Sequence, residues 1–185
     1  MKTRREVEEA IASCTACHLA GPTVAPVPFR GKAPALAAIV AEAPGKTENQ
    51  VGRPLVGPAG KLLDDTLSAA GMDLNELAYF NVVSCFPLVM ADKKPTPESL
   101  IACRPHFEAQ MELINPTFVL LLGNYALQAF RPDQRIMSSR GTWWEGAGKR
   151  FLATVHPAGV LRNEEWKDMF RDDITEFVRE VQQCM

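Results

Sequence analysis

The sequence predicts an α/β fold: one three-layer α/β/α domain over residues 1–185, with a central, mostly parallel sheet of about four strands. Short apolar runs alternate with helical patterns along the chain, and such alternation is typical of parallel strands joined by crossover helices. A composition of 46% hydrophobic and 23% charged residues agrees with an ordinary globular domain. The expected strands are residues 36–41, 79–84, 117–122 and 150–155, and residues 140–144 are expected to pair with the last of these.

Helix-terminal residues and hydrophobic periodicity predict the elements between the strands. Gly71 follows one helical pattern, and glycine is preferred at the left-handed position after a helix. Thr96-Pro97 begins another, because threonine caps helices and proline suits their first turn. Residues 21–34 are rich in proline and predict an irregular crossing, and residues 86–96 predict a second long loop. The expected helices are 3–12, 59–70, 97–114, 125–130 and 164–182.

Charge and hydropathy exclude several classes of protein. The net charge of −2 gives no whole-molecule attraction to nucleic acid, so any DNA binding must come from a local patch. No apolar run approaches the ~20 residues that cross a bilayer, and the amino terminus lacks a signal-peptide core. We therefore expect a cytoplasmic protein without a membrane partner, whose five cysteines stay reduced.

The segment 41–60, AEAPGKTENQVGRPLVGPAG, is the first candidate site. It connects the first strand to the following helix at the carboxyl edge of the sheet, where open α/β sheets bind their ligands. Loops of this length in compact domains tend to be functional. His156 is a second candidate, because it stands before a proline at the carboxyl end of a strand.

Four cysteines form a candidate metal site. Cys14 and Cys17 are a C-x2-C pair, whereas Cys85 follows a strand and Cys103 lies in a helix. Four thiolates without a histidine suit zinc or an iron–sulfur cluster. Their spacing alone does not separate these two, and buried cysteines also occur as small core residues without any metal.

A set of motifs spans the chain from about residue 10 to residue 180. They are the C-x2-C pair at 14–17, AEAPG at 41–45, GRPLVGPAG at 52–60, NVVSC at 81–85, PTPE at 95–98, CRP at 103–105, LG at 122–123, RG at 140–141 and HPA at 156–158. In order and spacing, the set resembles the family 4 uracil-DNA glycosylases, the iron–sulfur members of that superfamily.

The resemblance implies an enzyme of base excision repair. Such an enzyme flips uracil out of DNA and hydrolyses its N-glycosidic bond, which leaves an abasic site. It also implies a 4Fe–4S cluster on Cys14, Cys17, Cys85 and Cys103, with zinc at the same cysteines as the alternative. The expected partner is uracil-containing DNA, single- or double-stranded, and the expected state is a monomer.

The resemblance also implies roles for individual residues. Asn81 offers an amide to the N3–H and O4 of uracil, and His156 donates to O2, where negative charge grows as the bond breaks. Glu42 or Glu48 positions water or stabilises a cationic sugar. The implied uracil-binding residues are Glu42, Ala43, Leu55, Asn81 and His156; the catalytic residues are Glu42, Glu48 and His156; the DNA-binding residues are Lys46, Arg53, Lys61, Arg140 and Arg162.

Leu55 departs from the family pattern, which places phenylalanine there against the flipped base. Base–aromatic stacking contributes ~1–3 kcal/mol, so leucine is expected to weaken uracil binding or to change the substrate. Ala43 stands where some related families place a polar, water-activating residue. The alternative function is therefore a weakened glycosylase-fold protein that binds DNA or another protein, and a third is a redox protein that uses the cluster.

Overall fold

Six strands form one sheet within residues 2–21, 25–87 and 94–184, the parts of the chain that this computed structural model describes. Their order across the sheet is β1-β3-β2-β4-β6-β5, with β3, β2, β4 and β6 mutually parallel. The strands are β1 (Arg30–Gly31), β2 (Ala37–Ala41), β3 (Leu77–Asn81), β4 (Phe118–Leu122), β5 (Trp144–Gly146) and β6 (Lys149–Thr154).

The α/β class is confirmed, and the four predicted main strands form the parallel centre of the sheet. The sheet is larger than about four strands because β1 and β5 pair antiparallel with its two edges. These edge strands are two and three residues long, too short to give a period-two pattern. The second strand ends at Asn81 rather than at residue 84, and the edge pair begins at residue 144. The single-domain assignment stays a prediction.

The five predicted helices are present in the predicted order, and the described ranges add three short ones: one inside the segment 41–60, one before β5 and one after β6. Within the predicted loop 86–96, residues 88–93 lie outside the described parts of the chain. The helices are α1 (Arg4–Ala12), α2 (Lys46–Val51), α3 (Pro58–Ala69), α4 (Pro97–Ile114), α5 (Gly123–Gln128), α6 (Ile136–Ser139), α7 (Pro157–Val160) and α8 (Lys167–Gln182), with 3-10 turns at Leu74–Glu76 and Glu164–Trp166.

The main core lies around the parallel strands. Every residue of β2, β3 and β4 is buried, as expected for a parallel sheet covered on both faces. Helices α3, α7 and α8 contact one another, and α1 contacts α4. The apolar stripe of α8 supplies Phe170, Ile174 and Phe177 to this core, as its periodicity predicts. No helix in the described ranges is long and apolar enough to span a bilayer.

Candidate functional site

The strand register places the candidate residues along one edge of the sheet. Asn81 and Ala41, the last residues of β3 and β2, lie opposite each other. Val40 pairs with Leu121, and the next residue of β4, Leu122, pairs with Thr154 of β6. His156 follows two residues beyond. Since neighbouring strands are ~4.8 Å apart, the backbones of Asn81 and His156 lie roughly 14 Å apart along this edge. The stretch of the edge between these two residues is called the crevice.

Asn81 presents an amide donor without a partner. The residue is 3% exposed, and its Nδ2 has no hydrogen-bond partner among the residues that the structure describes. The backbone around it is fully engaged, since the Val82 N–H donates to the Ala41 carbonyl at 2.9 Å. A buried, unpaired donor costs stability. Its presence at the carboxyl edge therefore points to a ligand acceptor rather than to a structural cap.

His156 is held as a neutral hydrogen-bond donor. It caps α7, and its Nδ1 accepts the Ala158 N–H at 3.1 Å, so the neutral ring carries its proton on Nε2. Burial and, to a smaller extent, the Arg162 guanidinium lower the pKa of His156 to about 4, although the Glu48 carboxylate opposes this shift. The imidazole is therefore uncharged near neutral pH.

Gly123 is a site residue that the sequence interpretation did not single out, although its LG motif was noted. It lies at the start of α5 with φ +83, and a Cβ built on it would lie 3.1 Å from the Cβ of His156. A side chain here would displace the histidine. The glycine–histidine contact joins the end of β4 to the end of β6, and no local sequence signal predicts that long-range packing.

Glu48 organises the candidate loop. Its Oε2 accepts the Gly45 N–H at 3.1 Å, and its Oε1 accepts the N–H groups of Val56 at 3.0 Å and Gly57 at 2.7 Å. A Cβ on Gly45 would lie 2.7 Å from this carboxylate. With 8% exposure, Glu48 therefore ties both ends of the loop to α2. Its predicted part in positioning water stays a prediction.

Glu42 and Ala43 lie directly after β2, beside Asn81. Both are half-buried, and the Glu42 carbonyl accepts the Val83 N–H at 3.0 Å. Ala43 packs against the small apolar cluster that contains Cys85 and Cys103. Leu55 is 6% exposed and has a left-handed backbone, with φ +52. The structure thus gathers the predicted uracil-binding residues at or next to the carboxyl edge, where their roles stay predictions.

Three of the four candidate cysteine ligands share one small apolar cluster. Cys85 and Cys103 are buried with Leu19 and Phe86, and Cys17 packs against the same cluster. Burial raises the pKa of the Cys85 thiol to about 12. The charges of Cys103, Cys17 and Cys14 contribute to this raised pKa. No three His, Cys, Asp or Glu side chains in the described ranges are arranged to hold a metal ion.

The predicted DNA-binding residues fall into two groups. Lys46, Arg53 and Arg162 are exposed and form no ion pair with a described carboxylate. Lys61 is exposed and pairs with Asp65 on the next turn of α3, at 3.2 Å.

Arg140 has a different environment. It forms a bidentate pair with Asp173, with Nε–Oδ2 2.8 Å and Nη2–Oδ1 2.5 Å, and Thr154 donates to the same carboxylate at 2.6 Å. Its guanidinium is thus engaged inside the protein, and its predicted DNA contact stays a prediction.

Comparison with known proteins agrees with this geometry. The profile of the uracil DNA glycosylase superfamily matches residues 28–182. A type-4 uracil-DNA glycosylase of Thermotoga maritima is 37% identical over 88% of each chain. One from Pyrobaculum aerophilum is 31% identical over 94% of this chain and 92% of its own. The solution NMR structure of a proposed uracil DNA glycosylase from Methanosarcina acetivorans shares the fold, with TM-score 0.56 and 12% identity over 85% of this chain and 97% of that one.

The open α/β sheet and the matches over most of the chain define its class. The chain belongs to the uracil DNA glycosylase superfamily and, within it, to the type-4 family of these two relatives.

The buried pair between Arg140 and Asp173 is expected to stabilise the fold. Asp173 is 3% exposed, so replacing its partner in Arg140→Gln leaves a buried carboxylate without its cation. We expect the free energy of unfolding to fall by about 2–3 kcal/mol, measured by urea denaturation at neutral pH. Arg179→Gln removes an exposed pair with Glu176 and should change it by less than about 0.5 kcal/mol. Equal, small effects in both variants would contradict a structural role for Arg140.

Proposed function

We propose that this protein is a uracil-DNA glycosylase, which flips uracil out of DNA and hydrolyses the bond between the base and deoxyribose. The observation that carries the proposal is the pair of donors at the crevice: the unpartnered Nδ2 of Asn81 and the Nε2–H of a neutral His156. Uracil has two carbonyl oxygens, O4 and O2, with an N3–H between them. The Asn81 amide suits O4 and N3–H, and the histidine suits O2.

Leaving-group stabilisation follows from the state of His156. As the glycosidic bond breaks, uracil departs with negative charge shared by N1 and its carbonyl oxygens. A donor that is already in place for O2 stabilises that charge without reorganisation, and by analogy with an oxyanion-hole donor it contributes ~3–4 kcal/mol. Because the ring is neutral, its Nδ1 accepts the Ala158 N–H, and this contact fixes the ring with Nε2–H as its free donor.

Glu42 is the carboxylate that we assign to the water or to the cationic sugar. Both oxygens of Glu48 already accept backbone N–H groups, so that residue shapes the loop instead. Glu42 follows β2 directly and lies next to Asn81 through the β2–β3 register. The transition state of such a cleavage has oxocarbenium character, which a nearby carboxylate stabilises. Ala43 offers no polar side chain, so leaving-group stabilisation carries more of the rate.

Phosphate contacts are assigned to the exposed cations at this edge. Lys46 and Arg53 belong to the segment 41–60, and Arg162 lies near His156. With a net charge of −2, the protein depends on such a local patch to bind DNA. The proposal includes a monomer that acts on uracil in single- or double-stranded DNA.

We assign a 4Fe–4S cluster to the four cysteines. The four candidate ligands all offer sulfur, Cys85 and Cys103 lie among apolar side chains, and cysteine thiolates are the usual ligands of such clusters. Cys14 and Cys17 would hold the amino-terminal segment, Cys85 the loop after β3, and Cys103 the helix α4. Bound there, the cluster supplies a rigid covalent link between these segments. Zinc remains the alternative occupant.

Loss of either donor should abolish most of the activity. We expect His156→Ala and Asn81→Ala to reduce single-turnover uracil release by about a hundredfold or more, because each removes a hydrogen bond to the departing base. The assay is release from matched single- and double-stranded uracil DNA, with alkaline cleavage of the abasic product. His106→Ala and Asn75→Ala are matched controls outside the crevice and should keep wild-type rates.

Two results would count against the assignment. Near-native rates in both crevice variants would remove these residues from the site. No product from folded, cluster-loaded wild-type protein would favour a DNA- or protein-binding role instead.

The pH dependence should follow the lowered pKa of His156. Its neutral form donates to O2, so the single-turnover rate should stay level from about pH 8 down to about pH 5.5 and then fall with an apparent pKa near 4. The contribution of His156 to stability has the same sign: between about pH 6.5 and pH 4 the unfolded chain binds the proton and the folded chain does not, so this contribution is present above pH 6.5 and is lost as the pH falls towards 4. A rate that halves near pH 6.5 in still-folded protein would contradict this environment.

Iron and sulfide analysis tests the cofactor. Protein purified without oxygen should contain about four iron and four sulfide per chain. Cys103→Ser should lose most of this iron, because α4 then lacks its ligand. Cys184→Ser removes an exposed cysteine and should retain all of it. One zinc per chain, without sulfide, would establish the alternative.

A further inference from the structure

Arg30 connects the edge strand β1 to the loop that carries Leu55. Its Nε donates to the Pro54 carbonyl at 2.9 Å, and its Nη2 donates to the Leu55 carbonyl at 3.1 Å. The same Nη2 lies 3.0 Å from an Asp64 carboxylate oxygen on α3. The guanidinium carbon lies 3.6 Å from the ring centroid of Tyr79. One half-buried cation therefore binds two consecutive carbonyls, a carboxylate and an aromatic face.

Leu55 needs such support because its backbone is strained. Its φ of +52 is a left-handed conformation that leucine rarely adopts. Strained conformations of this kind persist only where the surrounding structure enforces them. Gly60 closes the other side, since a Cβ built there would lie 2.0 Å from the Leu55 carbonyl oxygen. Arg30 and Gly60 thus contact the same peptide group, one by hydrogen bonding and one by close approach.

We propose that Arg30 is a positioning residue for base binding: it holds Leu55, the residue expected to contact the flipped base, in its left-handed conformation. The inference rests on the proposed function and adds a residue to it. Arg30 does not touch the base. It acts through the Pro54 and Leu55 carbonyls, and its own position is set by the Tyr79 ring and by Asp64.

Arginine suits this position for a geometric reason. Its planar fork donates in several fixed directions while its face stacks on a ring, whereas lysine offers a compact charge on a flexible stem. Arg30→Lys keeps the positive charge near Asp64 but cannot bind both carbonyls and stack on Tyr79 together. A partial effect in Arg30→Lys and a full effect in Arg30→Gln would therefore identify the fork, rather than the charge alone, as the acting feature.

Hydrogen exchange tests the contact without any catalytic assay. In Arg30→Gln, the amides of Val56 and Gly57 should exchange about tenfold faster or more, because the segment before them loses its anchor to β1. Arg150→Gln is the matched control. Arg150 also pairs with a carboxylate, that of Glu180 at 2.8 Å, and lies over two aromatic rings, but it is at the amino end of β6. Unchanged exchange in Arg30→Gln would overturn the proposal.

A double-mutant cycle tests the functional part. Arg30→Gln should lower single-turnover uracil release by about ten- to a hundredfold, as expected for a misplaced binding group. In a Leu55→Gly background, where the side chain is absent and glycine tolerates φ +52, the same change should cost less than about threefold. Arg150→Gln should leave the rate near wild type in both backgrounds.

Three further outcomes distinguish a failure of the positioning role of Arg30 from a failure of the proposed glycosylase function. If Arg30→Gln and Leu55→Gly lower the rate additively, Arg30 does not act through Leu55, and the positioning role is wrong. If exchange at Val56 and Gly57 rises while uracil release is unchanged, the contact is structural only, which also overturns it. If folded wild-type protein releases no uracil, the proposed function fails, and the exchange result shows separately whether Arg30 anchors the loop.

Discussion

The parallel register of β3, β2, β4 and β6 is the constraint on which the rest of the structure depends. It brings the carboxyl ends of four strands to one edge, so that Asn81, Glu42, Gly123 and His156 lie along the same edge although they are distant in sequence. A slip of one residue in any strand would turn the following side chain to the opposite face. Burial opposes such a slip, because both faces of β2, β3 and β4 are covered and every residue of these strands is buried.

The site is built from groups that the fold leaves in unfavourable states. Asn81 has a buried donor without a partner in the described parts of the chain, His156 is half-buried with a lowered pKa, and Leu55 has a left-handed backbone. Each state costs stability in the free protein. A flipped uracil would relieve the first directly, since its O4 accepts from an amide. Ordinary contacts support these residues: the Glu48 carboxylate accepts backbone N–H groups of the loop, and Gly123 packs closely against His156.

Local chemistry explains which features the sequence predicts. Apolar runs identify the four central strands, and Thr96-Pro97 identifies the start of α4, because both signals are carried by neighbouring residues. The sequence does not predict β1, which lies in a proline-rich crossing and pairs with residues 77–81 rather than with its own neighbours. The sequence does not predict the contacts of Glu48 and Arg30 either, because their partners include residues that are not their neighbours along the chain. An acidic or basic residue in a loop has the same local signature whether it is solvated or buried against distant backbone.

The substitution at residue 55 and the arginine at residue 30 are best understood together. Leucine has no flat ring to stack on a base, so it depends more on where its backbone places it. The Arg30 guanidinium donates to the consecutive carbonyls of Pro54 and Leu55. Asp64 and Tyr79 hold that guanidinium in turn. A phenylalanine at residue 55 would hold the base by stacking on it. A leucine makes a smaller apolar contact, and a firmly held loop can offset that loss because less order has to be created when the base binds.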